Sequence, residues 1–203
     1  TTIDGYTQDG ASPATGAVSA TLLIEIDGSA IAGNNGFNIT SSGNEIRGLA
    51  VNRFPWNGIA IGGSGAMDNI IAGNHIGTDR SGSVDLGNGL DGVFIGLGAQ
   101  NNTIGGDEPA ERNVISGNDW DGVAIHGTGT MSNTVSRNLI GVTADSRDGC
   151  ANTLHGVYIY GGAQNNTIGK RNVISGNSQN GVLVYGDGTT GNAIVGNYIG
   201  LDG

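Results

Sequence analysis

The chain has 203 residues, of which 40 are glycine, 13% are charged and 5% are aromatic, and no apolar run is long enough to span a bilayer. Its formal net charge of −10, with only eight Lys and Arg residues, excludes the basic surface that binding to nucleic acid or to an anionic membrane requires. The single cysteine, Cys150, cannot form a disulfide within the chain, so core packing and backbone hydrogen bonds must stabilise the fold.

The first 35 residues lack the repeat that fills the rest of the chain. They contain an apolar strand, LLIEI at Leu22, and a proline, Pro13, among small residues. An uncovered strand edge promotes pairing between molecules. We therefore expect residues 1–35 to form an N-terminal cap over the first edge of the repeat array.

A G-V-x-I motif recurs from residue 36 onward, and its two apolar positions face the same side of a strand. The copies are GFNI at Gly36, GIAI at Gly58, GVFI at Gly92, GVAI at Gly122, GVYI at Gly156 and GVLV at Gly181. GVFI at Gly92 returns as GVYI at Gly156, 64 residues later. Two coils therefore make one sequence unit.

Two further short strands follow in each coil. The second strand reads N-x-I/V, at Asn44, Asn69, Asn102, Asn133, Asn166 and Asn192, and the third reads NVI, NHI, NLI or NYI, at Asn74, Asn113, Asn138, Asn172 and Asn197. Three β-branched strands per coil with Gly and Asn corners predict an all-β fold. We expect a right-handed parallel β-helix (β-solenoid) of about six three-strand coils over residues 36–203.

The corner asparagines are expected to bond from coil to coil, because identical amides stack when coils repeat in register. The chain ends on IGLDG at Ile199, where the equivalent IGTD at Ile76 continues into another coil. We expect the helix to be truncated at its C-terminal end. Either flanking domains of a longer chain or end-to-end self-association would then cover the uncapped C-terminal coil.

The motifs TIDGYTQ at Thr2, NNTIGG at Asn101 and RNVISGN at Arg112 resemble the right-handed parallel β-helix repeats of large bacterial secreted and surface proteins, which have the pectate-lyase-like superfamily fold. The resemblance implies an extracellular location, secreted or on the cell surface. It implies no single activity, because related helices include pectate lyases, polygalacturonases, alginate epimerases and stalk segments. The Asp-Asp pair of polygalacturonases and the Asp-Pro-His-Asp motif of alginate epimerases are absent from this sequence.

Aromatic residues gather at outward positions of the G-V-x-I strands, where an exposed strip offers a stacking surface for sugar rings. The candidates for carbohydrate binding are Phe94, Tyr158, Tyr160 and Tyr185. Trp120 precedes such a strand, and long loops are expected on either side of it at 78–90 and 142–154. The sequence therefore predicts a trough around Trp120.

Two carboxylates and two histidines, Asp119, Asp121, His126 and His155, are expected near this trough. Such groups serve as acid and base in glycoside cleavage or β-elimination. The alternative is that they are turn formers and solvated surface groups, since Asp is ordinary at corners.

Three arginines, Arg112, Arg137 and Arg171, each precede the asparagine of the third strand, with Lys170 beside them. A column of like charges needs anions. The arginines would form salt bridges with carboxylates of the neighbouring loop, at Asp107, Glu108 and Glu111. The alternative is that they bind a uronate or sulfate ligand. No cofactor or metal is expected, with a calcium site at Asp79 and Asp85 as the alternative.

These features favour an extracellular module that acts as a rigid spacer or adhesive segment, with carbohydrate binding on the G-V-x-I face. The alternative is a polysaccharide lyase, glycoside hydrolase or epimerase with its site in the trough near Trp120.

Overall fold

The computed structural model describes residues 1–16 and 18–200, and nearly all of its regular structure consists of short parallel strands. Each strand pairs with its counterpart one coil along, so that Val93 lies beside Val123 and Ile95 beside Ile125. The parallel β-helix that the repeat predicts is therefore confirmed.

Three sheets form the sides of the helix, and each is named here by its sequence motif. The GVxI sheet contains Phe37–Ile39, Ile59–Gly62, Val93–Gly96, Val123–His126, Val157–Tyr160 and Val182–Tyr185. The NxI sheet contains Thr2–Asp4, Glu45–Arg47, Ile70–Ala72, Thr103–Gly105, Thr134–Ser136, Thr167–Gly169 and Ala193–Val195. The NVI sheet contains Ile24–Asp27, Leu49–Asn52, His75–Ile76, Val114–Ile115, Leu139–Ile140, Val173–Ile174 and Tyr198–Ile199. Two short 3-10 helices are Gly5–Thr7 and Pro109–Glu111.

The interior is a continuous stack of aliphatic side chains. Ile and Val side chains from all three sheets, with Leu49, Phe54 and three alanines, form one buried cluster that extends from Ile39 to Ile174. Removal of each isoleucine or valine side chain from water stabilises the fold by roughly 1.5 to 3 kcal/mol before ordering entropy is subtracted.

The segment of residues 1–35 differs from the expected end cap. Thr2–Asp4 pairs with Glu45–Arg47 and Ile24–Asp27 pairs with Leu49–Asn52, so two sheets have seven strands and the GVxI sheet has six. The excursion between the two strands reaches the outer side of the NVI sheet, where Ser19 Oγ donates a hydrogen bond to the carbonyl of Ala144 at 3.1 Å. This segment therefore begins the helix and also covers part of one side.

The predicted asparagine ladders are confirmed at the corners. The side-chain oxygen of Asn102, for example, accepts from the backbone N–H and the side-chain amide of Asn69, at 3.0 and 2.8 Å. Asn102 makes the same pair of bonds to Asn133, one coil further along. The ladders tie successive coils together at positions where the strands bend.

The expected truncation at the C-terminal end concerns the IGLDG motif, of which residues 201–203 lie outside the described residues. Within the part of the chain that the structure describes, no helix is long and apolar enough to cross a membrane.

Candidate ligand-binding surfaces

The outer side of the GVxI sheet carries a cluster of four rings, Phe94, His126, Tyr158 and Tyr160, called the aromatic cluster below. Tyr158 and Tyr160 alternate along one strand and stack with ring centroids 4.1 Å apart and planes 12° apart. The His126 ring lies 4.4 Å from the Tyr160 ring and 6.4 Å from the Phe94 ring. The cluster therefore crosses three successive coils along the helix axis.

Glycine at position 96 makes room for the first ring of the cluster. A Cβ atom at Gly96 would lie 2.5 Å from Cζ of Phe94, so the ring occupies space that only glycine leaves open. Gly161 has the same relation to His126, whose Cδ2 would be 2.6 Å from an added Cβ. The two glycines therefore leave the space that the rings of Phe94 and His126 occupy.

Both phenols of the aromatic cluster stay neutral well above neutral pH. Burial raises the pKa of Tyr160 to about 12, and the negative charges of Asp91 and Asp121 act in the same direction. The pKa of Tyr158 is raised by burial and by the nearby Asp121 and Tyr185. The face therefore presents hydroxyl groups that donate and accept hydrogen bonds beside apolar ring surfaces.

A column of polar side chains leads into the GVxI sheet at its corner. Asp91 Oδ1 accepts from the backbone N–H of Asp121 at 3.1 Å, and Asp121 Oδ1 accepts from that of His155 at 2.8 Å. His155 Nδ1 accepts from the backbone N–H of Asn180 at 3.2 Å, which continues the column into the next coil. The His155 ring also meets Tyr158 edge-on at 5.2 Å.

The two carboxyl groups of this column are buried and disfavour ionisation. Burial raises the pKa of Asp91 to about 7, and the neighbouring charge of Asp121 adds to the rise. Burial also raises the pKa of Asp121, while hydrogen bonding and the charge of His155 oppose that shift. Asp91 is the site residue that sequence reasoning did not single out, because an aspartate at a corner is ordinary and its pairing with Asp121 depends on the register.

The four predicted acid–base residues are brought together only in part. Asp121 and His155 are neighbours in the corner column, whereas His126 lies in the aromatic cluster. Asp119 is exposed, and its charge acts on Asp85 in the preceding loop. The arrangement supplies one buried carboxyl–histidine contact and no cluster of all four groups.

Trp120 lies between the two loops predicted to flank it. Its backbone N–H donates to the carbonyl of Leu90 at 3.2 Å, and its backbone carbonyl accepts from the N–H of Leu154 at 3.1 Å. The ring is 48% exposed, as is that of Trp56 two coils earlier. Among the described ring contacts, none joins Trp120 or Tyr185 to the aromatic cluster, although Tyr185 pairs in register with Tyr160 and is exposed.

A second polar surface lies at the corner between the NxI sheet and the NVI sheet. It is called the basic corner below and consists of Arg137, Lys170 and Arg171. With Gly106, Asp107, Gly196 and Tyr198 they line a cavity of about 530 Å³. Arg137 Nε donates to the backbone carbonyl of Asp107 at 2.8 Å.

The salt bridges expected for these cations do not form within residues 1–16 and 18–200, where no ion pair involves Arg112, Arg137, Lys170 or Arg171. Glu111 instead accepts from the backbone N–H of Glu108 at 2.8 Å and caps its own short helix. Arg112 is set apart from the basic corner, because it is half-buried and lines a small gap beside His75. Its pKa is lowered by burial and by the charge of Arg137.

In the loop of Asp79 and Asp85, the alternative calcium site, the carboxylate of Asp79 accepts hydrogen bonds from its own loop. Asp79 Oδ1 accepts from Ser81 Oγ at 2.8 Å and from the backbone N–H groups of Ser83 and Val84, both at 3.1 Å. Across the described residues, no group of three His, Cys, Asp or Glu side chains is placed to hold a metal ion.

Comparison with solved structures finds a likeness to the periplasmic alginate epimerase AlgG. The TM-score is 0.59 at 14% sequence identity, over 81% of this chain and 36% of the epimerase. A point mutant of AlgG gives 0.58 at 14% identity, over 80% of this chain and 36% of the mutant. No family model matches the sequence, and no curated protein matches it. The chain thus spans about a third of the length of the epimerase, and the likeness shows a shared parallel β-helix fold.

Proposed function

We propose that this chain is an extracellular β-helix module that acts as a rigid adhesive segment and binds polysaccharide along its GVxI face. The observation that supports this function is the aromatic cluster, whose four rings contact one another on the outer side of one sheet and extend over three successive coils. Aromatic rings with neutral hydroxyl groups offer both the apolar and the hydrogen-bonding contacts that a sugar needs. Tyr185, one coil further along the GVxI sheet, and Trp120, at the corner before that sheet, are further exposed rings.

Rigidity is supported by the continuity of the core and the ladders. Inward side chains lie over one another from coil to coil, and asparagine ladders tie the corners on each side. A solenoid held in this way behaves as a stiff rod with an extended surface. The fold shared with a periplasmic alginate epimerase supports a role outside the cytoplasm.

The test is retention of the protein on immobilised polysaccharides, both neutral and acidic, compared between wild type and ring variants. Tyr158→Ala should weaken binding about tenfold or more, since it removes a ring that stacks on Tyr160. Trp120→Ala is expected to weaken binding less, and Trp56→Ala, with an equally exposed ring, is the matched control. Unchanged retention of the Tyr158→Ala protein would remove the binding proposal and leave an inert spacer.

A polysaccharide lyase, hydrolase or epimerase is the second candidate, and one observation favours it. The pKa of Asp91 is raised to about 7 beside the aromatic cluster, and perturbed carboxyl groups are common at catalytic sites. Against it, Asp91 and Asp121 are only 5% and 3% exposed, and each carboxyl group already accepts a hydrogen bond from a backbone N–H. Reducing-end release and absorbance of unsaturated uronate should be measured on acidic and neutral polymers, with Asp121→Asn as the variant. Product formation that this variant abolishes would establish the enzyme.

A further inference from the structure

The basic corner concentrates positive charge in a protein whose net charge is −10. Arg47, Arg53 and Arg80 each have a carboxylate within 3.8 Å. Arg137, Lys170 and Arg171 line one cavity, and none of them has such a partner among the described residues. Like charges that share a cavity repel one another unless an anion lies between them.

The backbone of the basic corner is unfavourable for the residues it carries. Arg137 and Arg171 have φ angles of 57° and 67°, in the left-handed region that a Cβ atom disfavours. Three other coils have glycine at the position equivalent to Arg137 and Arg171. These glycines are Gly48, Gly73 and Gly196, with φ angles of 72°, 67° and 67°. Lys170, an extra residue in its coil, has a φ of 35°. Strained positions of this kind are retained where they serve a site.

The guanidinium of Arg137 is held in place and still has free donors. Its Nε atom donates to the Asp107 carbonyl at 2.8 Å, and its two Nη groups have no hydrogen-bond partner among the described residues. Lys170 and Arg171 are exposed. A rigid fork flanked by two further cations matches a carboxylate or a sulfate ester.

The surroundings of the cations fit a sugar. Tyr198 lines the cavity and is 53% exposed, which offers a ring face next to the charges. A groove of about 330 Å³ shares Gly106, Asp107 and Lys170 with the cavity and continues along the NxI sheet. Thr103, Thr134 and Thr167 lie in register along that groove, so their hydroxyl groups form a row of hydrogen-bonding sites.

We propose that the basic corner binds an acidic saccharide. One acid group, a carboxylate or a sulfate ester, would lie among Arg137, Lys170 and Arg171, with its sugar ring against Tyr198. The adjoining sugars would follow the threonine row across the NxI sheet. This site is on a different side from the GVxI face, and it stands whether or not the aromatic cluster binds glycan.

The test is isothermal titration calorimetry with four probes: a sulfated oligosaccharide, an oligouronate, a neutral oligosaccharide of the same length, and inorganic sulfate. The titrations use the Tyr158→Ala protein, so that the GVxI face does not contribute, and we expect binding of at least one acidic oligosaccharide, weakened by salt, and no binding of the neutral one. The acidic oligosaccharide that binds identifies the acid group. Equal affinity for inorganic sulfate would overturn the saccharide assignment, and failure of both acidic oligosaccharides to bind would overturn the site.

The informative variant is the double substitution Arg137→Gly with Arg171→Gly, because glycine is the residue that other coils use at this position. It should fold, as judged by circular dichroism, and lose about tenfold or more in affinity. Arg80→Ala with Arg147→Ala removes the same charge elsewhere and should retain binding. Equal loss in this control pair would show a general charge effect and contradict the proposal.

Lys170→Ala, at an exposed position, tests the site a second time and should also weaken binding. Tyr158→Ala should leave this binding unchanged.

Discussion

At the scale of single residues, asparagine side chains satisfy the backbone hydrogen-bonding groups at the corners of this helix. A corner exposes backbone groups that no strand ladder satisfies, and each buried group without a partner costs roughly 1 to 3 kcal/mol. Asn133 illustrates the answer: its oxygen accepts two bonds from Asn102, and its amide donates to the Ala99 carbonyl and to Asn166. Both ends of each amide are used, which is why the position tolerates few other side chains.

The corner column at the GVxI sheet departs from this pattern where Asp91 and Asp121 replace asparagine. An ionised aspartate keeps the acceptor but lacks the amide donor that Asn57 directs to Asn35 at 2.9 Å. Its charge is also buried beside a second carboxyl group. The column is therefore satisfied best when Asp91 is protonated.

Stability should accordingly depend on pH through Asp91. Its pKa is about 7 in the fold against an ordinary value of 3.8, so the folded state binds more protons between these two values. The free energy of unfolding from this group is greatest below about pH 4 and decreases as the pH rises towards 7. Asp91→Asn should remove this loss and raise stability at pH 8 by on the order of 4 kcal/mol, with little effect near pH 4. Thermal unfolding followed at several pH values measures the difference.

The control for this experiment is Asp187→Asn, which removes a carboxylate from an exposed turn. That variant should follow the wild-type stability curve across the same pH range. If the Asp91→Asn and wild-type curves were parallel from pH 4 to pH 8, the buried carboxyl would not be the cause of any pH dependence.

At the scale of the element, the glycine immediately before a GVxI strand determines how closely successive coils approach, as Gly122 shows. A Cβ atom on Gly122 would lie 2.7 Å from the Gly156 carbonyl oxygen, 2.7 Å from Ile140 Cγ2 and 2.9 Å from Asn152 Nδ2. Two of these neighbours belong to the core and to an asparagine ladder. The glycine is needed for packing, since its φ is not in the left-handed region.

Gly122→Ala should therefore destabilise the protein by about 2 kcal/mol, as overpacking does in a close-packed interior. In a chain of this size that corresponds to a fall in Tm of about 4 to 8 °C. Gly149→Ala is the matched control, because an added Cβ atom there meets nothing within 4 Å and the backbone is unstrained. Equal melting temperatures for the two variants would contradict the packing role of Gly122.

Much of this element structure could be predicted from the sequence, and the exceptions have physical reasons. The GVxI strands and asparagine ladders were predictable because each coil repeats the same pattern of inward apolar residues and corner asparagines. The strand Ile24–Asp27 falls within the apolar strand predicted at Leu22. The strand Thr2–Asp4, and the pairing of both strands with the first coil, were not predictable, because these segments lack the flanking asparagine and are separated by a long excursion. The unpaired state of Arg137 was also hidden, since only the register shows that Glu111 is committed to its own helix cap. Contacts between distant coils depend on loop paths that carry no periodic signal.

At the scale of the whole molecule, the stability of a solenoid is approximately a sum over coils and their interfaces. Here the natural unit is two coils, because the long corners at 77–92 and 141–156 alternate with short ones. Gly92 and Gly156 end equivalent long corners, and each contacts the same kinds of neighbour: an isoleucine of the NVI sheet, a ladder asparagine and the carbonyl of the next glycine. One unit should therefore be removable without changing the surroundings of the rest.

Deletion of residues 93–156 joins Gly92 directly to Val157 and places the next strand, Val157–Tyr160, beside Ile59–Gly62. The core columns and the asparagine ladders then continue, with Asn166 taking the place of Asn102. We expect a folded, shorter helix with β-type circular dichroism, and solution scattering should show a rod about 10 Å shorter, the rise of two coils. Its Tm should decrease, because two interfaces and the contact between Ser19 and Ala144 are lost.

Deletion of residues 93–132 is the control, because it does not remove a whole number of coils. It joins Gly92 to Asn133, which brings an NxI strand to the GVxI sheet, and the protein should not fold. A folded control together with an unfolded 93–156 deletion would mean that register between coils does not govern this architecture.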